Sequence, residues 1–165
     1  MGAGGEGFGG EGGLRIGSLP APICMNKMNQ QLELIANASP ESRDLLLDDL
    51  NDLLQSAPLE EDDAKVLVRD LSRLVDNKDS DAALESLFNV LGTLYAQGRA
   101  RDEIEDIALK RMSSLPVGAT VHALEIVGMS EIPSKRDLLA TYTEHENLYL
   151  SARAKSLLAD TIELR

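Results

Sequence analysis

"FNVLGTLYAQGRARDEIEDIALKRMSSLP", Phe88–Pro116, decides how this chain is read. Phe88, Val90, Leu91, Leu94 and Tyr95 make its first half apolar over much of a helical surface. A helix with so wide an apolar face belongs at the centre of a fold. Gly98 marks its end, as glycine does where a chain must leave a helix. Asp102 and Glu105 then stand in capping-box spacing, and a second helix is expected to about Ser113. Pro116 opens the next element. The stretch is two helices with a glycine-marked corner.

The same grammar extends in both directions. Upstream, Met28, Leu32 and Ile35 share one face of a helix beginning near Lys27. Ser39, Pro40 and Glu41 read as N-cap, first helical residue and first-turn acid of a second helix. That helix is expected to turn Leu46, Leu50, Leu53 and Leu54 inward and Asp48, Asp49 and Asp52 outward. A third opens on Glu60–Asp63, acids suited to the positive end of a helix dipole. Its apolar positions are Val66, Val68, Leu71, Leu74 and Val75, with Leu67 near the edge. The fourth covers about 81–97 and contains the first half of the opening stretch. Downstream, a sixth helix carries Val117, Val121, Leu124 and Val127 and closes at Gly128. A seventh starts with Ser134 and Asp137 in capping-box spacing, and an eighth covers about 147–163 with Leu150, Ala154, Leu157, Leu158 and Ile162 inward. About eight helices joined by short loops should pack as antiparallel hairpins. The expected fold is all-α, either an irregular α-solenoid or a compact helical bundle.

Composition agrees. The 165 residues include 28 leucines, no tryptophan and only 3% aromatics, so the strand signature of aromatic and β-branched alternation is missing. One domain is expected, over 26–165. Residues 1–17 hold nine of the thirteen glycines and cannot bury enough apolar surface to offset their chain entropy. With Ser18–Ile23 as a proline-containing extended linker, 1–25 is expected to be a disordered tail. Met25 and Met28 stand as alternative starting residues.

Charge narrows the partners. Sixteen Lys and Arg against 28 Asp and Glu give a net charge of −12, which repels nucleic-acid phosphates and anionic membrane surfaces. Between Glu41 and Asp63 nine acids face one base, Arg43, so this segment holds −8 of that total. No apolar run approaches the roughly 18 residues of a membrane span. A single cysteine, Cys24, precludes an internal disulfide, and a reducing cytoplasm is the expected compartment.

Phe88, Leu91, Gly92 and Tyr95, with Pro116 beyond them, resemble a tetratricopeptide unit. That resemblance implies that the glycine permits close helix approach, the aromatics fill the groove and the proline ends the second helix. Ile104, Ala108 and Arg111 depart from the family's small, aromatic and alanine positions. Moving the frame by about 34 residues meets Leu54, Ala57, Pro58 and Glu61 upstream, and His122, Glu125, Ile126 and Met129 downstream. "RDLLATYTEHENLYLSARAKSLLADTI", Arg136–Ile162, resembles a HEAT or armadillo unit instead. Both imply stacked α-hairpins of the kind that bind other proteins.

Catalytic chemistry finds little footing. His145 lies between Glu144 and Glu146, and neighbours in sequence do not converge on a metal, so a solvated loop is expected there. His122 sits on a helix flank and reads as structural. Asp76–Asp81 fails as a calcium loop because Asp81 and Leu87 stand where glycine and glutamate are needed, and reads as a capped helix start. No nucleophile has a base beside it. The expectation is therefore a non-enzymatic interaction module acting as chaperone, adaptor or immunity-type inhibitor of a basic partner. Its expected protein-binding residues are Asp48, Asp49, Asp52, Glu60, Glu61, Asp62 and Asp63. No cofactor and no metal is expected, and self-association is an alternative. The competing reading is a helical enzyme or ligand binder with an interhelical pocket of carboxylates and histidine.

Overall fold

The structure is a computed structural model and describes residues 21–76 and 78–163. Among them are eight α-helices, one short 3-10 turn and no strand. They are α1 (Ala21–Asn37), α2 (Arg43–Ser56), α3 (Glu61–Leu74), α4 (Asp81–Ala96), α5 (Arg101–Arg111), α6 (Val117–Met129), α7 (Lys135–Tyr142) and α8 (Leu148–Glu163). The 3-10 turn Met112–Ser114 follows α5. The chain is all-α, as its periodicity requires.

The helices lie in two layers. In one, α2 packs on α4, α4 on α6 and α6 on α8. In the other, α1 touches α3 and α3 touches α5, while α7 leans on α8 and α6. Each helix also packs on its partner in sequence, as short connections dictate. The most extensive contacts are those of α4 with α2 and α6, so the helix of the opening stretch is central. Its Leu87, Phe88, Leu91, Leu94 and Tyr95 are all buried. Each such side chain contributes about 1.5–3 kcal/mol by leaving water. Only a stripe through Glu85 and Ala96 remains exposed on α4.

Several boundaries differ from expectation. The first helix begins at Ala21, inside the expected tail, with Pro22 in its first turn where no intrahelical partner is lost. The rest of that tail, 1–20, lies outside the described residues. The second helix begins at Arg43 rather than Pro40, because Ser39–Ser42 closes a separate turn in which the Ser42 N–H donates to the Ser39 carbonyl at 3.0 Å. Its buried stripe is Leu47, Leu50, Asn51 and Leu54, with Leu46 and Leu53 on the flank towards α1. On α3 the expected pair is reversed: Val66 is exposed and Leu67 buried. Gly128 lies within the last turn of α6, and a Cβ there would stand 2.8 Å from Leu157 Cδ2, so this glycine admits α8. Gly92, by contrast, faces open space, so no close approach depends on it. Pro116 caps the start of α6, as its place in the sequence indicates, and does not end α5 as the tetratricopeptide resemblance implies.

The caps show which local signals hold. The Ser80 hydroxyl accepts from the Ala83 N–H at 3.1 Å and starts α4. The Asn147 carboxamide accepts from the Tyr149 and Leu150 N–H groups at 3.0 and 3.2 Å and starts α8. Gly98, at φ 75°, lets the Arg99 N–H reach back to the Leu94 carbonyl at 2.9 Å and ends α4. Asp102 and Ser134 make no capping bond. The start of α5 instead falls on Ala100, a buried non-glycine residue at φ 47°.

Cations from elsewhere in the chain satisfy helix C-termini. Arg43 Nε donates to the Ile35 carbonyl at 3.2 Å, and its Nη1 to the Leu74 carbonyl at 2.9 Å and Asp79 Oδ1 at 2.6 Å. One guanidinium thus closes the ends of α1 and α3 and pairs with a carboxylate only 2% exposed. Arg111 Nη1 donates to the Val75 carbonyl at 3.2 Å, just past α3. Lys135 Nζ donates likewise to the Gly128 carbonyl in the last turn of α6 at 3.3 Å and to the Ser130 carbonyl just past it at 2.6 Å. These contacts meet the negative end of each helix dipole with positive charge.

Candidate functional site

The seven expected acids fall into two groups on either side of the Ala57–Glu60 connection, which buried Leu59 pins to the core. Asp48, Asp49 and Asp52 form an exposed crest along α2. They point outward because Leu47, Leu50 and Leu54 claim the inward positions of the same turns. Glu60 is the N-cap residue of α3 and Glu61–Asp63 form its first turn, with Glu60 and Asp62 exposed and Glu61 and Asp63 half-buried. Asp48, Asp49, Asp52, Glu60, Asp62 and Asp63 have no ion-pair partner among the described residues.

Glu61 stands apart. Its Oε2 and Oε1 accept from the Ala100 N–H at 3.1 and 3.3 Å, and Lys65 lies 3.4 Å away. The carboxylate holds the left-handed corner that starts α5, so it serves the fold. The Ala100 N–H, and then Lys65 and Arg99, hold its pKa below the ordinary carboxylate value against the opposing effect of burial. A carboxylate lowered on folding stabilises above its unfolded pKa, about 4.3, and the gain is lost as pH falls through the folded value. Wild type should therefore exceed Glu61→Gln in stability at pH 7, and the gap should close towards pH 3. Urea denaturation across that range is the check, and a pH-independent gap would contradict the assignment.

Beside the α2 crest lies a feature that the sequence reading did not single out. An open groove of about 600 Å³ runs between α1 and α2. Leu34 and Leu53 give it apolar walls, and Lys27, Glu33, Asn37 and Asp49 stand along it. Leu34 is 54% exposed, and Leu45, one turn before Asp49, is 66% exposed. The signal was legible: Leu34 and Leu45 are large apolar residues that fall off the Met28–Ile35 and Leu47–Leu54 stripes of their helices. The pairing of the two flanks into a groove was not, since it depends on how α1 leans on α2.

Comparison with known protein families, curated proteins and solved structures gives no match to this chain.

The histidines build different surroundings. His122 Nδ1 lies 3.4 Å from Glu125 Oε2, and Arg153 of α8 donates to Glu125 Oε1 at 2.8 and 3.1 Å. Glu125 therefore ties α6 to α8. His145 is half-buried rather than solvated: its Nδ1 accepts from the Asn147 N–H at 3.0 Å and its ring stacks on Tyr142 at 5.7 Å. Tyr142 and His145 line a cavity of about 120 Å³ with Met112 and Thr120, and His122 lies outside it. That volume is below the roughly 300–1,000 Å³ of ordinary ligand pockets. Among the described residues no three His, Cys, Asp or Glu side chains converge to hold a metal ion. No helix among them is long and apolar enough to cross a membrane.

Proposed function

We propose that this chain is a non-enzymatic binding scaffold whose acidic α1–α2 edge receives a basic protein, in the manner of a chaperone, an adaptor or an immunity-type inhibitor. The observation that carries the reading is the crest of Asp48, Asp49 and Asp52, exposed, without an ion-pair partner among the described residues, and rooted on a helix whose Leu47, Leu50 and Leu54 are fully buried. These exposed acids are placed to project a field into solvent. Such a field raises association rate and rejects acidic competitors more than it adds affinity. The start of α3 extends the same charge with Glu60 and Asp62. Hairpins in two layers, with kinship to helical-repeat proteins as part of this reading, suit an extended contact surface. A reducing cytoplasm remains the compartment this reading assumes.

The test is capture of partners at low salt followed by a salt gradient. Retained proteins should be basic, should elute as ionic strength rises towards the range where the Debye length is a few ångströms, and should be lost with the triple variant Asp48→Asn, Asp49→Asn, Asp52→Asn. Acidic partners, or retention indifferent to salt, would overturn the proposal.

A further inference from the structure

The α1–α2 groove adds a second requirement to the partner. We propose that it seats a cationic amphipathic α-helix of the partner, apolar side on Leu34 and Leu53 and Lys or Arg side chains over Asp48, Asp49 and Asp52. This rests on the reading of a basic partner and specifies its shape.

Three observations converge on that occupant. The groove is mixed: Leu34 from one side and Leu53 from the other supply its apolar contacts, among Gln30, Gln31 and the charged Lys27 and Glu33. The charge lies on the α2 rim, with Asp49 in the groove wall, Asp52 one turn on and Asp48 beside them. A helix with leucines along one stripe and lysines flanking it matches both at once, with anchors three to four residues apart. The groove is also bounded by helices on both sides, whose backbone groups are bonded internally. An extended peptide draws its affinity from main-chain bonds to a sheet edge, and no strand is present among the described residues to offer one. On α1 the lining runs from Lys27 to Asn37, a seat of about 15 Å, which takes about three turns of a partner helix.

The seat is also continuous with the packing of the fold. Each helix of the α2–α4–α6–α8 layer rests on the next, and a partner helix against the Asp49–Leu53 flank of α2 would add a member at the α2 edge of that layer. Here α1 leaves room for it, since this helix is anchored by Met28 and Ile35 and leaves Leu34 outside.

The experiment titrates the isotope-labelled protein with two synthetic 18-residue peptides of one composition, leucine and lysine. In one the leucines repeat at helical spacing; in the other their order is scrambled. The patterned peptide should bind at least tenfold more tightly, shift the amides around Leu34, Asn37, Asp49 and Leu53, and become helical on binding. Leu34→Ser should weaken it about tenfold without altering the free protein's melting temperature, and Asp48→Asn with Asp52→Asn should weaken both peptides alike. Equal binding of the two peptides, or shifts confined to the first turn of α3, would overturn the groove while leaving the basic-partner reading intact. No binding of either peptide at low salt would overturn both.

Discussion

Arg43→Ala is expected to destabilise the protein by about 3–5 kcal/mol. The guanidinium serves three acceptors at once, the Ile35 and Leu74 carbonyls and the Asp79 carboxylate. Its removal takes the paired cation from Asp79, whose side chain is 2% exposed, and leaves Arg111, whose charge also acts on Asp79, to oppose it in part. The Asp76 N–H still bonds Asp79 Oδ2 at 2.8 Å, which compensates only in part. Two helix ends lose a cation at the negative pole of their dipoles in the same step. In a chain of this size the melting temperature should fall by on the order of 10 °C. Arg43→Lys keeps the charge but not the forked donors, so it should fall between the two. Denaturant unfolding decides the matter, and a loss below about 1 kcal/mol would show that the three contacts are not made together in solution.

Phe88→Ala should cost about 3–5 kcal/mol. Phe88 is fully buried on the helix that touches both neighbours in its layer. The lost ring would leave a cavity between elements that cannot collapse independently. Arg111 also lies over the ring, 5.9 Å from its centroid. Removing the ring therefore loosens a guanidinium that holds the Val75 carbonyl. Against a total stability of about 5–15 kcal/mol for a domain, this places the variant close to unfolding at room temperature. The control is Leu45→Ala, a large apolar residue 66% exposed, where a change within about 0.5 kcal/mol is expected. Comparable losses for the two variants would contradict the placement of α4 at the centre.

What the sequence shows of this fold depends on how far each determinant reaches along the chain. Ser80, Gly98 and Asn147 act on backbone groups within a few residues, and the helix ends they set, near 81, 97 and 147, were legible in sequence. The breadth of the apolar face on α4 announced a central helix, and the structure places α4 there. Partners that come from elsewhere in the chain were illegible. Arg43 reaches a residue 36 positions on, and Glu61 one 39 positions on. Nothing in "ESRD" or "EEDD" indicates those targets. Ala100 shows the same limit from the other side: its left-handed backbone has no glycine to flag it, because a distant carboxylate holds its N–H. On α2 the choice between Leu46 and Leu47 as the inward residue turns on a rotation of one position, which a run of three leucines cannot settle.

The candidate site divides in the same way. The α2 crest was legible because outward acids and inward leucines alternate at helical spacing on one element. The acids of the α3 first turn looked equivalent in sequence, and the structure separates Glu61 from its neighbours by giving it a structural bond. The groove needed the contact between two helices to exist at all.

Binding and stability should therefore separate cleanly in one comparison, the triple variant Asp48→Asn, Asp49→Asn, Asp52→Asn against wild type, with a captured basic partner. The expected result is a loss of about tenfold or more in association rate at low salt, with a melting temperature unchanged or slightly raised as like charges are removed from α2. An unchanged association rate, or a fall in melting temperature like that of Arg43→Ala, would contradict the assignment of this crest to recognition rather than to the fold.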